Sequence, residues 1–104
     1  MPANAAATLA DLERSAGEAA QLLKLLANEH RLLILCRLAV ERELSVGELL
    51  QSVKLGQSAL SQHLAKMREE GLIATRREAQ TIFYRIADRN VARILTLLKN
   101  IYCP

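Results

Sequence analysis

Two cysteines, Cys36 and Cys103, carry the most distinctive reactive groups of this sequence. A thiol that loses its proton can be oxidised, can join a second thiol in a disulfide, or can bind a metal ion. Two cysteines are too few for a disulfide scaffold, and there is no secretory signal, so we expect a cytoplasmic chain whose thiols begin reduced. Cys36 shares a helical face with Leu32 and Ala39, where a single cysteine is usually a small buried hydrophobe. The residues alone leave open whether the thiols are reactive or inert.

Residue patterns typical of enzymes are not found in the sequence. It contains no Ser/His/Asp or Cys/His arrangement, no glycine-rich phosphate loop and no paired-carboxylate motif. His30 and Cys36 are six residues apart, a spacing that does not bring two side chains together on a helix. The apolar runs, such as 32–36, are too short to span a bilayer. We therefore expect no enzymatic activity, no cofactor and no membrane partner.

A helix predicted from Gln57 to Glu70 has two chemically different faces. At about 100° per residue, Leu60, Leu64 and Met67 fall on one side and are expected to face the core. A face of small or amide side chains can enter the major groove of DNA, where glutamine bonds adenine edges and the helix N-terminus can hold a phosphate. The alternative, a solvated polar face, is far commoner. The candidate DNA-contacting residues on the outward face are Ser58, Ser61 and Gln62.

The two histidines are expected to have structural roles. His63 lies about 60° from Leu60 around the same helix, nearer to the core side than to the groove side. We therefore expect a partly buried imidazole at this position rather than a contact with a base. His30 lies near the start of the preceding long helix and is expected at the surface or in a helix cap.

Two strand-like segments, 73–78 and 81–86, follow this helix and are joined across Ala79 and Gln80. The hairpin carries three arginines, Arg76, Arg77 and Arg85. Arginines on such a hairpin are candidates for contacts with phosphates or with the minor groove, although each could instead be a solvated charge. Arg77 and Gln80 lie close to the tip and are the better candidates.

The remaining elements are predicted from helical periodicity and capping residues. Residues 1–8 are expected to be flexible, and Gly71 suits the left-handed position that ends the 57–70 helix. The other helices are expected from Thr8 or Asp11 to about Leu26, from Glu29 to Val40 after an Asn28 cap, from Val46 to about Val53 behind a Ser45–Glu48 capping box, and from Asp88 to about Tyr102.

The predicted fold is mainly α with a small β-hairpin (α-α-α-α-β-β-α), as a single domain over residues 1–104. Two short helices joined by a tight turn and followed by a basic hairpin are typical of a winged helix-turn-helix. The net charge of +3 weakly favours a polyanionic partner. The apolar stripes of the first and last helices exceed what one small domain can bury, which predicts a homodimer through these two helices.

Nearly the whole chain resembles the ArsR/SmtB family of bacterial regulators. The resemblance implies a dimer with one winged helix-turn-helix per protomer and with double-stranded operator DNA as its partner. It also places the base contacts of the family on Gln57, Ser58, Ser61 and Gln62, in agreement with the two-faced helix. The matching segments are 22–32, 44–50, 57–64, 70–73 and Phe83–Tyr84.

Two metal sites known in this family lack their ligands here. One uses a Cys-x-Cys in the third helix, where this chain has no cysteine, and the other uses Asp and His in the last helix, where this chain has Asp88 but no histidine. A thiol-based subgroup instead places one cysteine in the second helix and one near the end of the last, as Cys36 and Cys103 are placed. The resemblance therefore implies redox sensing by these two cysteines, with reactive sulfur species or oxidants as the inducer.

This switch has two alternatives. The chain could be a constitutive DNA-binding regulator with inert cysteines, in which case reduced and oxidised protein bind an operator equally. It could also be a protein-interaction module whose winged fold no longer binds DNA, an alternative that the basic hairpin opposes. Salt-dependent affinity for DNA separates this last possibility from the other two.

Overall fold

The computed structural model describes residues 5–103, with side chains from Thr8 onward. Five helices and a three-stranded antiparallel sheet follow one another in the predicted order, with one short strand added, and the winged-helix fold is confirmed. In chain order the elements are α1 (Ala5–Leu26), α2 (Glu29–Glu41), β1 (Leu44–Ser45), α3 (Val46–Ser52), α4 (Gln57–Glu69), β2 (Ile73–Glu78), β3 (Thr81–Ile86) and α5 (Arg89–Tyr102).

Capping side chains begin three of the helices where the sequence predicts them. Asn28 accepts a backbone N–H at the start of α2. Ser45 and Glu48 form the reciprocal capping box of α3. Asp88 accepts two backbone N–H groups at the start of α5. Each cap gives a partner to N–H groups that have none inside the helix, which is why the starts of these helices could be predicted.

The start of α1 differs from the prediction. Thr8 and Asp11 lie inside this helix, which already begins at Ala5, so neither residue caps it. Alanine is the best helix former, and the Ala-rich segment extends the helix beyond both polar residues. Of the start that was expected to be flexible, residues 5–8 are helical and residues 1–4 lie outside the described residues.

The wing is formed by β2 and β3, with the strand bounds that the sequence predicts. Gly71 precedes it with a φ of +80°, which confirms the left-handed position that ends α4. β1 was not predicted; it pairs with β3 on the side away from β2, giving the strand order β1-β3-β2. A two-residue strand is too short to show the alternation by which strands are identified.

One cluster of buried aliphatic side chains holds the helices and the sheet together. It is aliphatic because the sequence has only two tyrosines and one phenylalanine to offer. The inward face predicted for α4 is confirmed, since all three of its expected core residues are buried. The largest fully buried side chains are Ile34, Leu35, Leu38, Leu49, Leu60, Leu64, Met67, Leu72 and Val91.

The second helix, α2, is buried on one side only, although its apolar composition predicts burial on most sides. Leu33 is exposed, Val40 is 75% exposed, and Cys36 is exposed as well. At about 100° per residue, Cys36 lies about 150° from the mean direction of the three buried residues of α2. The expectation that Cys36 has an apolar, buried setting is therefore wrong for the single chain.

The outer helices leave apolar side chains uncovered. In α1, Leu26 is buried, whereas every residue from 11 to 21 is exposed. In α5, Leu95 belongs to the core, whereas Leu97 and Ile101 are exposed. Within residues 5–103, no helix combines the length and the apolar character that crossing a membrane requires.

Candidate nucleic-acid interface

The outer face of α4 carries four exposed polar side chains. The helix is held by its opposite face, where Leu60 and Met67 are fully buried and Leu64 nearly so. This anchoring leaves the first two turns of α4 open to solvent, with small and amide side chains and no bulky apolar group on the surface. Such a face can enter the major groove of DNA. The exposed residues are the predicted ones, Gln57, Ser58, Ser61 and Gln62.

The N-terminus of α4 adds a second feature to this surface. Its N-cap is Gly56, which provides no side-chain cap, so the N–H groups of the first turn lack a side-chain acceptor. These N–H groups also carry the positive end of the helix dipole, and together they can bind a phosphate oxygen. The neighbouring α3 differs, because its own capping box already occupies its N-terminus.

The side chain of His63 points away from this surface, as expected, and is half-buried. Its Nδ1 accepts a hydrogen bond from Nε of Arg31 at 3.2 Å. Arg31 also donates through Nη1 to the backbone carbonyl of Leu25, near the end of α1, at 3.2 Å. His30 is exposed, and its ring centroid lies 6.0 Å from that of His63. Burial, followed by the positive charges of Arg31 and His30, lowers the pKa of His63 below its ordinary value.

The wing places two neighbouring arginines on opposite faces. Arg76 pairs in register with Phe83, so Arg77 points to the other face, which it shares with the buried Ile73. Arg77 and Gln80 are both exposed near the turn of the hairpin. Within residues 5–103, Arg77 forms no ion pair, so its guanidinium is available to an external anion.

Arg76 is instead held by the protein itself. Its Nε and Nη2 donate to both carboxylate oxygens of Glu43 at 2.9 and 2.8 Å, and its Nη1 donates to Glu78 at 3.0 Å. The guanidinium carbon also lies 4.7 Å from the ring centroid of Phe83. The hydrogen bonds between Arg76 and Glu43 raise the pKa of the arginine and lower the pKa of the carboxyl group. Arg76 therefore links the wing to the segment between α2 and β1.

Cys36 and Cys103 are both exposed, and they lie on two helices that pack against each other, α2 and α5. Cys103 is the C-cap of α5, where its backbone N–H donates to the Lys99 carbonyl at 2.7 Å. Partial burial, followed by negative charge on Cys103, raises the pKa of Cys36.

Metal coordination has little support in the described part of the chain. Within residues 5–103 there is no group of three or more His, Cys, Asp or Glu side chains that could hold a metal ion. Cys36 and Cys103 would supply two ligands, whereas structural zinc sites use four and catalytic zinc sites use three from the protein.

The fold and this surface define a class of protein. The helix-turn-helix consists of α3 and α4. Its second helix, α4, is anchored by a buried aliphatic face and presents an exposed amide face and an N-terminus without a side-chain cap. The basic wing of β2 and β3 follows it in the chain. This is the arrangement of winged helix-turn-helix proteins that bind DNA.

Comparison with known proteins agrees with this class. The family described as "Bacterial regulatory protein, arsR family" matches residues 28–75. The chain is 50% identical over 95 residues to the transcriptional activator HlyU of Vibrio cholerae, covering 91% of this chain and 87% of that protein. It is 45% identical over 96 residues to the biofilm growth-associated repressor of Xylella fastidiosa, covering 92% of this chain and 83% of that protein.

A solved structure gives the same result for the fold. Reduced HlyU from Vibrio cholerae superposes with a TM-score of 0.83 at 50% identity, covering 90% of this chain and 98% of that chain. The chain belongs to the arsR family of bacterial regulatory proteins. The relatives that it matches are transcriptional regulators and not enzymes.

Proposed function

We propose that this chain is a sequence-specific transcriptional regulator that binds double-stranded operator DNA as a homodimer, and that linking Cys36 to Cys103 controls this binding. The observation that carries the proposal is the exposed amide face of α4, anchored from behind by a fully buried aliphatic face. A solvated helix has no need of an uncapped N-terminus beside a basic wing, whereas a helix that reads a major groove uses both.

The contacts divide by type. Gln57 and Gln62 would bond base edges, and Ser58 and Ser61 would bond bases or phosphates. Arg77 and Gln80, at the wing, would contact the backbone or the minor groove of the flanking DNA. A homodimer would present two α4 helices to successive major grooves, about 34–36 Å apart. We propose the outer faces of α1 and α5 as the dimer interface, because large apolar side chains are exposed on both.

The thiol switch is supported by the position of the two cysteines. Cys36 lies on α2, which packs under the helix-turn-helix, and Cys103 ends α5, one of the proposed dimerisation helices. A covalent link would tie these two helices together and change the angle between the two DNA-binding units. A small misalignment weakens both half-sites at once, so we expect linked protein to leave its operator.

The proposed chemistry starts at Cys103. Both thiols are exposed, but the raised pKa of Cys36 lowers its thiolate fraction, so we propose that Cys103, at the end of α5, is attacked first. In the direct route, a hydroperoxide accepts two electrons, the two thiols lose their protons, and a disulfide, an alcohol and water are formed. In the sulfur route, a sulfane-sulfur donor converts one thiol to a persulfide. A two-electron oxidant then joins this persulfide to the other thiol through the added sulfur atom, and two protons are released.

The test is a DNA-binding titration of reduced, oxidised and persulfide-treated protein on its own upstream DNA, with a mixed-sequence duplex of equal length for comparison. We expect treatment to lower affinity for the specific site and reductant to restore it. Cys36→Ser and Cys103→Ser should each bind like the reduced wild-type protein and lose the response. Mass spectrometry of treated wild-type protein should find one cross-linked peptide pair that contains both cysteines.

Two results would reject parts of this proposal. If Cys103→Ser protein still releases DNA after treatment, the two-thiol switch is refuted and the inert-cysteine alternative takes its place. If neither duplex is bound, or if binding is independent of salt, the chain is a protein-interaction module rather than a DNA-binding regulator.

A further inference from the structure

The side chain of Arg31 connects three helices that have different tasks. It extends from α2, donates through Nη1 to the Leu25 carbonyl of α1, and donates through Nε to Nδ1 of His63 on α4. Within residues 5–103, it is the one side chain that hydrogen-bonds both to α1 and to α4. Its own backbone N–H is held in turn by the Asn28 cap.

This connection depends on an uncharged imidazole. An Nδ1 atom can accept a hydrogen bond only when it carries no proton, and a protonated histidine offers N–H donors at both ring nitrogens. Protonation of His63 would place a new N–H opposite the Nε–H of Arg31, 3.2 Å away, and would put two positive charges side by side. The hydrogen bond would then be replaced by repulsion between α2 and α4.

We propose that Arg31 is a positioning residue for DNA recognition. It fixes α4 relative to α1 through its hydrogen bond to neutral His63. Affinity for specific DNA therefore falls when His63 takes up a proton. The inference rests on the proposed DNA-binding function and adds a regulation of the same surface. In the proposed homodimer, the spacing of the two α4 helices would depend on how each α4 is held relative to α1, and Arg31 makes hydrogen bonds to both helices.

The groups around His63 favour its neutral form. From α2 it faces Arg31 and His30, whose positive charges act together with burial to lower the pKa of His63. The group of α1 nearest to this hydrogen bond is the Leu25 carbonyl, which accepts from Arg31 and carries no net charge. On α4 itself, Lys66 is the next cation and is paired with Glu69 and Glu70. β2 also packs on α4, but its arginines lie in the half of the strand near the hairpin turn.

The sign of the pH effect follows from the hydrogen bond, because Nδ1 of His63 can accept only in the neutral ring, and the lowered pKa moves the loss to lower pH. The hydrogen bond is fully present above the ordinary histidine value of about 6.5, and it is lost as the pH falls through the lower value of the folded protein. A histidine that touches phosphate behaves in the opposite way, because protonation adds a positive charge next to the polyanion. A fall in specific affinity at low pH therefore separates a positioning role from a direct contact.

The experiment measures the affinity of the reduced protein from about pH 8 down to the lowest pH at which circular dichroism still shows the native fold, so that the range extends below the ordinary histidine value of about 6.5. The probes are the tightest duplex recovered by selection from a random library at the upper pH and a mixed-sequence duplex of equal length. We expect wild-type affinity for the selected duplex to fall about tenfold, a typical effect of losing one charge-assisted hydrogen bond. Affinity for the mixed-sequence duplex should stay level or rise. The midpoint of the fall should coincide with the titration of His63 followed by NMR.

Three variants separate the roles of the residues. His63→Asn keeps an acceptor near the Nδ1 position but cannot titrate, so it should bind as tightly as wild type at the upper pH and lose the fall. Arg31→Gln should bind weakly at every pH while keeping its helix content by circular dichroism. His30→Gln, the matched control, should keep the fall, with its midpoint at a higher pH.

The possible outcomes are distinguishable. A His63→Asn profile with the same fall as wild type, or a wild-type affinity that rises at low pH, would overturn the positioning proposal while leaving DNA binding intact. If selection recovers no preferred duplex at the upper pH, it is the proposed DNA-binding function that fails. Should Arg31→Gln not fold, His63→Asn still decides the question, because its only expected change is the lost pH dependence.

Discussion

The helix-turn-helix with its wing differs from helices α1 and α5 in how completely its large apolar side chains are buried. In the former, the large aliphatic residues of α4 face inward and are fully buried, and the exposed surface is polar. In the latter, Leu12 and Leu97 are each 58% exposed, and Leu9, Leu23 and Ile101 are exposed as well. Both regions belong to one small chain with one core, and that core covers only part of the apolar surface of α1 and α5.

The difference supports the proposal that α1 and α5 form the interface of a homodimer. Burying a leucine or isoleucine side chain stabilises a protein by about 1.5–3 kcal/mol, so several exposed ones on α1 and α5 represent a large unrealised gain. A self-complementary interface of a homodimer would realise it. The outward surface of α4 is polar, so it would gain little from burial of this kind, and it suits contact with a hydrated, charged ligand such as DNA.

The largest effect should come from breaking the proposed dimer. Leu97→Asp would place a charge in the interface, and we expect the mass measured by light scattering to fall to that of one chain. Affinity for specific DNA should fall by about 10²–10⁴-fold, since the second half-site would no longer be bound by a tethered protomer. The winged-helix body should keep its fold, because Leu97 is not part of the core.

Val40→Asp is the matched control for this experiment. Val40 is more exposed than Leu97, at 75%, but it lies on α2 and not on α1 or α5. We expect this variant to remain a dimer and to bind DNA like the wild type. If the wild-type protein is a monomer at micromolar concentration, or if Val40→Asp dissociates while Leu97→Asp does not, the interface has been assigned to the wrong helices.

Local signals in the sequence were enough to predict the winged-helix body. The Asn28 and Asp88 caps, the Ser45–Glu48 box and Gly71 act on backbone groups within a few residues of themselves, so their effect can be inferred from spacing alone. The buried face of α4 follows from helical periodicity in the same way.

Contacts between distant segments could not be predicted from the sequence. Glu43 and Arg76 are 33 positions apart and Arg31 and His63 are 32 apart, and neither pair has a signature in the residues around it. Cys36 shows the same limit, because periodicity identifies an apolar helix but not which of its apolar sides meets the core. For the same reason, the sequence predicted an apolar stripe on α5 but not how it divides. Leu95 is buried within the chain, whereas Ile101 is exposed.

A smaller effect is expected within α4, where a substitution on the outward face should weaken DNA binding and one on the inward face should weaken folding. Gln62→Ala should cost about 1–3 kcal/mol of binding at one base position and blunt the sequence preference, with no loss of thermal stability. Leu60→Ala should cost about 2–5 kcal/mol of folding free energy, because it opens a cavity in the core.

Gln51→Ala is the control for Gln62→Ala. Gln51 is also an exposed glutamine, but it lies on α3, so its loss should leave the base preference unchanged. Selection from a random duplex library with each variant would measure this preference directly. Unchanged preference and affinity in Gln62→Ala would mean that the outward face of α4 does not read bases.

The smallest effect, and the finest distinction, concerns the two arginines of the wing. Arg77 is exposed and forms no ion pair within the described residues, whereas Arg76 is bound by two carboxylates. Only a cation that neutralises a phosphate releases a counterion, so Arg77→Ala should reduce the slope of log affinity against log salt by about one. Arg76→Ala removes the same charge but should leave that slope unchanged, because its guanidinium neutralises Glu43 and Glu78 instead.

Titrations of both variants over a range of salt concentrations on one specific duplex make the comparison. If Arg76→Ala flattens the slope and Arg77→Ala does not, Arg76 leaves its carboxylates to bind DNA, and the phosphate contact of the wing belongs to the other face of the hairpin.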